Sequence, residues 1–193
     1  MHRLLKPSAV PGLICWVVAA IFSVGAVMAQ EKASVEYKVK AAYLLNFGKF
    51  VEWPTNRFPT ATSPIKVGVL GKDPFGADLD RIMAGRVIGG RKFEIIRSSE
   101  PEASLACHIV FVSSSERRQF SQIIETLHKA NVLTVGEHEQ FLEQGGIIRF
   151  FLHDDPVRSE STVRFEINAS AAQTAGLRIS SKLLQIAKPP GKP

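Results

Sequence analysis

From Ile65 to Leu152 the chain alternates short apolar runs with segments of helical period. Ile65–Leu70 alternates apolar and polar positions and turns at Gly71, which predicts a strand. Asp73 followed by Pro74 predicts a helix start, with the helix running to about Ala84 and stopped by Gly85. Arg86–Gly90 reads as a turn or short strand, and Lys92–Arg97 as a second strand. Cys107–Val112 is nearly continuous in apolar residues, the pattern of a strand buried on both faces. Ser113 and Glu116 have the spacing of a capping box. The helix predicted after them, to Lys129 or Ala130, puts Phe120, Ile123, Ile124 and Leu127 on one face. Val132–Val135 predicts a short strand, and Glu137–Glu143 a short helix closed by Gly145. Ile147–Leu152 and Thr162–Ile167 predict two strands joined by His153–Ser161 as an antiparallel hairpin. The rhythm predicts an α/β fold: three layers, a mostly parallel sheet flanked by helices, and a C-terminal antiparallel hairpin.

Two segments bracket this core. At the front, Ser34 is a candidate cap for a helix from Val35 to about Val51. Val39, Tyr43, Phe47 and Phe50 form its apolar stripe, widened by Ala41, Ala42, Leu44 and Leu45. That leaves Glu36, Lys38, Lys40 and Lys49 as its polar face. Trp53-Pro54 ends it, because the residue before proline is pushed out of the α region. Residues 55–64, with Pro59 and Pro64, read as a loop. At the back, Asn168 can cap a short helix from Ala169 to Ala175, closed by Gly176. Ser180 or Ser181 then starts a helical turn carrying Leu183, Leu184 and Ile186. A tail of this kind is predicted to dock on the core instead of fraying.

Met1–Ala29 has the form of a secretory signal peptide. Arg3 and Lys6 are its positive start, residues 10–27 its apolar stretch, and Val27-Met28-Ala29 its cut site. The organisation expected is therefore a leader over 1–29, a single domain over 30–188 and a short tail over 189–193, with a periplasmic destination. The net charge is +6 over the whole chain. Removing Arg3 and Lys6 leaves a mild surplus of basic residues, scattered and without aromatic interleaving. That pattern argues against a nucleic-acid partner. Cys15 leaves with the leader, so Cys107 stands alone and no internal disulfide is available. Its apolar neighbours predict a buried, inert thiol.

The residues offer little chemistry. The histidines are scattered with no ligand spacing, and a solvated turn accounts for His153-Asp154-Asp155. No GxSxG elbow is present. Gly71 to Gly76 lacks the spacing of a phosphate loop and reads as a helix cap. No metal, no cofactor and no enzyme activity are expected. Binding has better candidates. Arg164, Glu166 and Asn168 share one face of the last strand, and Arg178 follows the Gly176 turn in a position to fold back on Glu166. Read as an exposed patch, Glu166 is expected to tolerate replacement by arginine with little loss of stability. Trp53, at the helix exit, is a further interface candidate.

Three stretches carry a resemblance: Val39–Pro54 (VKAAYLLNFGKFVEWP), Gly145–Phe150 (GGIIRF) and Phe165–Lys188 (FEINASAAQTAGLRISSKLLQIAK). In this order they resemble the YfiR-like family of small periplasmic regulators. The resemblance implies a three-layer α/β fold, a homodimer, and a repressor that docks on the periplasmic domain of an inner-membrane signalling protein. That partner is a diguanylate cyclase of the YfiN type or a sensor kinase. An outer-membrane lipoprotein with an OmpA-like domain is implied as a competing partner. The resemblance also places Glu166 and Arg178 in a region tied to ligand or partner contact. A small-molecule-binding sensor is the alternative reading. The single Cys107 departs from relatives that carry cysteine pairs.

Overall fold

A computed structural model describes residues 33–155 and 160–189. The expected leader lies outside the described residues, and so does the expected tail apart from Pro189. The architecture below is that of the unit that runs from Tyr37 onward. Among the described residues no helix is long and apolar enough to cross a membrane.

The elements follow the expected rhythm. Helix α1 covers 33–50 and gives way to β1 (Val51–Glu52). Then come β2 (Ile65–Leu70), α2 (Ala77–Met83), β3 (Val87–Ile88), β4 (Arg91–Ser98), β5 (Ile109–Val112), α3 (Phe120–Lys129) and β6 (Leu133–Gly136). The chain closes with β7 (Ile148–Asp155), β8 (Glu160–Ile167), α4 (Ala169–Thr174), β9 (Arg178–Ile179) and α5 (Ser181–Ile186). Seven strands form one sheet in the order β3-β4-β2-β5-β6-β7-β8. The five from β4 to β7 are parallel, and β3 and β8 add an antiparallel strand at each edge.

Strand alternation divides the core. Val67, Val69, Ile109, Phe111, Leu133 and Val135 face one side, where they meet Leu44 and Phe47 of α1 and Leu79 and Met83 of α2. Leu70, Val110 and Val112 face the other, against Phe120, Ile123, Ile124 and Leu127 of α3. All four residues of β5 are fully buried, as a strand covered by helices on both faces requires. Cys107 is buried and free, and burial pushes its thiol up to about 11. The ring of Phe141 fills a slot floored by two glycines. A Cβ on Gly136 would come within 2.6 Å of that ring, and one on Gly146 would collide with it.

Five local expectations fail for identifiable reasons. His153, Asp154 and Asp155, read as a solvated turn, continue β7 and pair with Thr162, Ser161 and Glu160, because the hairpin ladder extends past the apolar part of both strands. Helix α2 begins at Ala77, not at Asp73. The Asp73 carboxylate accepts from the Phe75 N–H (2.7 Å) and binds Arg97 Nε (2.7 Å), and Gly76 at φ 53° separates it from the helix. No capping box forms after β5. Ser113 Oγ accepts from Ser115 N–H (3.3 Å), Glu116 turns to Ser115 Oγ (2.6 Å), and residues Ser114–Gln119 are 3-10 helix before α3 starts. Residues 137–143 make turns instead of a helix. Glu137 is drawn to α1 while Phe141 is held in its glycine slot, so the segment is pinned at two points. Finally, the buried face of α1 is rotated from the predicted stripe. Val39 is 39% exposed, whereas Lys40 is 3% exposed. The Lys40 ammonium bonds Glu137 Oε2 at 2.6 Å and lies 4.4 Å from the Tyr37 ring centre, so its charge is paired where it is buried.

Candidate functional site

The tail docks as its pattern predicts. Asn168 Oδ1 accepts from the Ala171 N–H (2.9 Å) and caps α4. Gly176 takes the left-handed φ of 70° that ends it. Ser180 Oγ accepts from the Leu183 N–H (3.3 Å) and caps α5. Between these helices β9 pairs antiparallel with β1, Val51 opposite Ile179 and Glu52 opposite Arg178. The Ser180 N–H also donates to the Phe50 carbonyl (2.9 Å). The first and last of the three motifs are thus joined by a ladder.

Arg178 therefore projects beside Glu52, exposed, at the rim of a cleft of about 290 Å³. Ala172, Leu177, Ile179 and Leu184 give the cleft an apolar lining. Leu184 is 42% exposed, which is high for an apolar side chain on a short docked helix. An apolar cleft with one cation at its rim suits an apolar group that carries a negative charge.

Glu166 is placed differently. It is 6% exposed, and its carboxylate accepts from Arg149 Nε (3.0 Å) and Nη2 (2.7 Å), the residue opposite it on β7. The expectation of an exposed, freely replaceable Glu166 is corrected by this burial. Arg149 is the partner of Glu166 that sequence reasoning missed. Its only signal is the two-residue alternation of the β7–β8 hairpin, which puts 149 and 166 on one face once the register is known. Arg164 is exposed on the same face, opposite Phe151. The Lys188 N–H donates to the Phe165 carbonyl (2.9 Å), so the end of the tail runs beside β8. Asn168 spends its side chain on structure, with Nδ2 donating to the Leu142 carbonyl (3.3 Å) in addition to the cap.

Trp53 is half-buried, and its indole N–H donates to the His108 carbonyl (3.1 Å). The His108 ring stacks on Phe58 at 4.3 Å, and the Arg91 guanidinium covers the other face of Phe58 at 3.8 Å. His108 Nδ1 accepts from the Lys66 N–H (3.0 Å), which leaves the proton on Nε2 to be donated to the Arg57 carbonyl (3.2 Å). This neutral, buried imidazole pins the 53–58 segment to the sheet. Burial lowers its pKa to about 4, below the ordinary value of 6.5. Unfolded chains take up the proton near 6.5 and the folded chain only near 4. The stabilisation is therefore complete above pH 6.5 and is lost as the pH falls to 4, by roughly 3 kcal/mol for this shift. Melting temperatures recorded from pH 7.5 to 4.5 should fall more steeply in the native chain than in a His108→Gln variant. Equal slopes would remove His108 from the acid response.

The carboxyl ends of β2 and β5, where open α/β sheets bind ligands, are occupied by side chains. Ser115 Oγ accepts from the Lys72 N–H (3.0 Å), and a Cβ on Gly71 would collide with Ser115 and Glu116. Among the described residues no cluster of His, Cys, Asp and Glu is arranged to hold a metal.

Two solved structures resemble the fold. One is a conserved domain protein from Vibrio cholerae, at 14% identity and a TM-score of 0.47, covering 65% of this chain and 54% of its own. The other is an ABC domain in complex with L-Trp from Streptococcus pneumoniae, at 14% identity and a TM-score of 0.45, covering 64% of this chain and 54% of its own. The chain thus spans about half the length of each. No curated protein matches the sequence. The family model described as YfiR/HmsC-like matches residues 37–188, which takes in all three motifs and every described strand, and the chain belongs to that family of periplasmic regulators.

Proposed function

We propose that this chain is a non-enzymatic periplasmic regulator that docks on the periplasmic sensor domain of an inner-membrane diguanylate cyclase and holds it in its low-activity state. The observation that carries the reading is the family match over residues 37–188. The Arg178 cleft supports it by offering an apolar, cation-rimmed surface on which a partner can anchor. Repression by docking is a population shift, in which the regulator binds the inactive form more tightly than the active one. A hundredfold preference corresponds to ~2.7 kcal/mol, which a few buried anchors supply. A homodimer and competition by an OmpA-like outer-membrane lipoprotein belong to the same reading, and a sensor kinase is the partner to distinguish from the cyclase.

The test is a pull-down from solubilised inner membrane with residues 30–193 as bait. Recovery of a cyclase through its periplasmic domain supports the reading, and recovery of a kinase redirects it. Arg178→Glu is expected to lower recovery at least tenfold while changing stability by no more than about 0.5 kcal/mol, the usual range for an exposed position. Undiminished recovery takes Arg178 out of the docking surface. A second reading, a small-molecule sensor, is favoured by the same cleft. Thermal stabilisation by one anionic metabolite in the absence of any membrane protein would select it.

A further inference from the structure

The edge of the sheet opposite the β7–β8 hairpin is incompletely covered. β3 pairs with β4 at Ile88↔Arg91 and Val87↔Lys92 and goes no further. On its other side β4 is paired to β2 from Phe93 to Ser98. The Gly71 N–H donates to the Ser98 carbonyl (2.9 Å), so Ser98, Ile96 and Glu94 turn their peptide groups toward β2. Alternation along the strand turns those of Phe93, Ile95 and Arg97 outward. Beyond the Val87↔Lys92 pair no strand adjoins this side of β4, so among the described residues the outward peptide groups of Ile95 and Arg97 have no strand partner. The chain from Ala84 to Arg86 swings away from the edge to join α2, and a cleft of about 270 Å³ opens between them. Met83, Phe93 and Ile95 supply its apolar surface, and Arg86 and Lys92 its cations. Both cations are exposed and have no carboxylate partner among the described residues. Asp80, the acid in the lining, is held by Arg97 at 2.6 Å.

The geometry points to β4 as a docking edge for an extended peptide segment of a partner protein that carries an acidic side chain beside an apolar one. The segment's backbone pairs with Ile95 and Arg97, adding a strand to the sheet. Its apolar side chain enters the cleft over Met83, and its carboxylate meets Arg86 and Lys92. A free small anion would use the cleft and the cations and leave the backbone row unpaired. A second copy of this chain would bring another lysine- and arginine-bearing edge to a surface that is already cationic. Only the acidic strand matches the backbone, the cleft and the charge together. This edge is separate from the Arg178 cleft, and the inference holds whichever membrane protein the chain regulates.

The probe is the peptide acetyl-Glu-Val-Glu-Val-Glu-Val-amide, with the Lys-for-Glu peptide as control. The readout is amide hydrogen exchange in the isotope-labelled protein. The acidic peptide is expected to slow exchange at Ile95 and Arg97 at least tenfold, and the lysine peptide to leave it unchanged. Arg86→Glu combined with Lys92→Glu, both surface changes, should reverse that preference without lowering the melting temperature. Ile95→Pro removes one outward N–H and should abolish the protection. Absence of slowing with the acidic peptide, or equal slowing by both peptides, overturns the proposal. Protection that appears without peptide and grows with protein concentration also overturns it, by placing a second copy on the edge.

Discussion

Phe47→Ala is expected to destabilise the domain by about 3–5 kcal/mol, the range for truncating a fully enclosed aromatic. Phe47 has no exposed surface. It is the side chain through which α1 grips the hairpin. Its ring stacks on Phe150 of β7 at 5.9 Å, meets Phe165 of β8 edge-on at 5.4 Å, and stacks on Tyr43 one helical turn earlier at 6.2 Å. The four rings form a continuous block between helix and sheet. Alanine would leave a cavity walled by aromatic rings, which relax little because each is fixed by the others. Urea denaturation should show a lower midpoint at an unchanged slope, since the amount of surface exposed on unfolding stays the same. A loss below 1 kcal/mol would mean that the helix is held elsewhere.

Glu166→Ala should be comparably severe, at about 3–5 kcal/mol, for an electrostatic reason. The change removes one member of a largely buried ion pair and leaves the Arg149 guanidinium, 18% exposed, without its carboxylate. A domain of this size should lose on the order of 10 °C in melting temperature. Replacing both residues with apolar side chains of similar volume should recover much of the loss, because the desolvation cost of both charges is removed with them. A near-neutral Glu166→Ala would place the pair in water and restore the carboxylate as a free recognition group. Arg178→Glu makes the contrast. It reverses an exposed charge and is expected to alter binding but not stability.

The parts of the fold that were legible in the sequence are those set by neighbours a few residues away. The two-residue alternation of Ile65–Leu70, the four-residue spacing of Phe120, Ile123, Ile124 and Leu127, and the caps at Asn168 and Ser180 all appear where the pattern puts them. What was not legible depends on partners far along the chain. Lys40 reads as a surface lysine until Glu137 is brought to it, and Glu166 reads as exposed until the hairpin register sets Arg149 opposite. The start of α2 failed in the same way, because the Asp73 that should have capped it is claimed by Arg97 of β4. Strand order is also hidden in a linear pattern. Nothing in it announces that β4 lies outside β2, which is what leaves its edge open.

The short ladder between β1 and β9 bears on how the molecule assembles. It joins Val51 to Ile179, so the loop it closes contains the whole central sheet. Closing so long a loop costs entropy that local contacts cannot offset, and the step belongs late in folding. The seat of the first helix is therefore finished only by the last residues of the domain. A chain emerging from a ribosome or a translocation channel with its amino end first can build its central strands in order, but it cannot lock α1 until β9 and α5 are released. Deleting the C-terminal segment would then loosen the N-terminal helix, at the far end of the sequence, and expose the aromatic block beneath it.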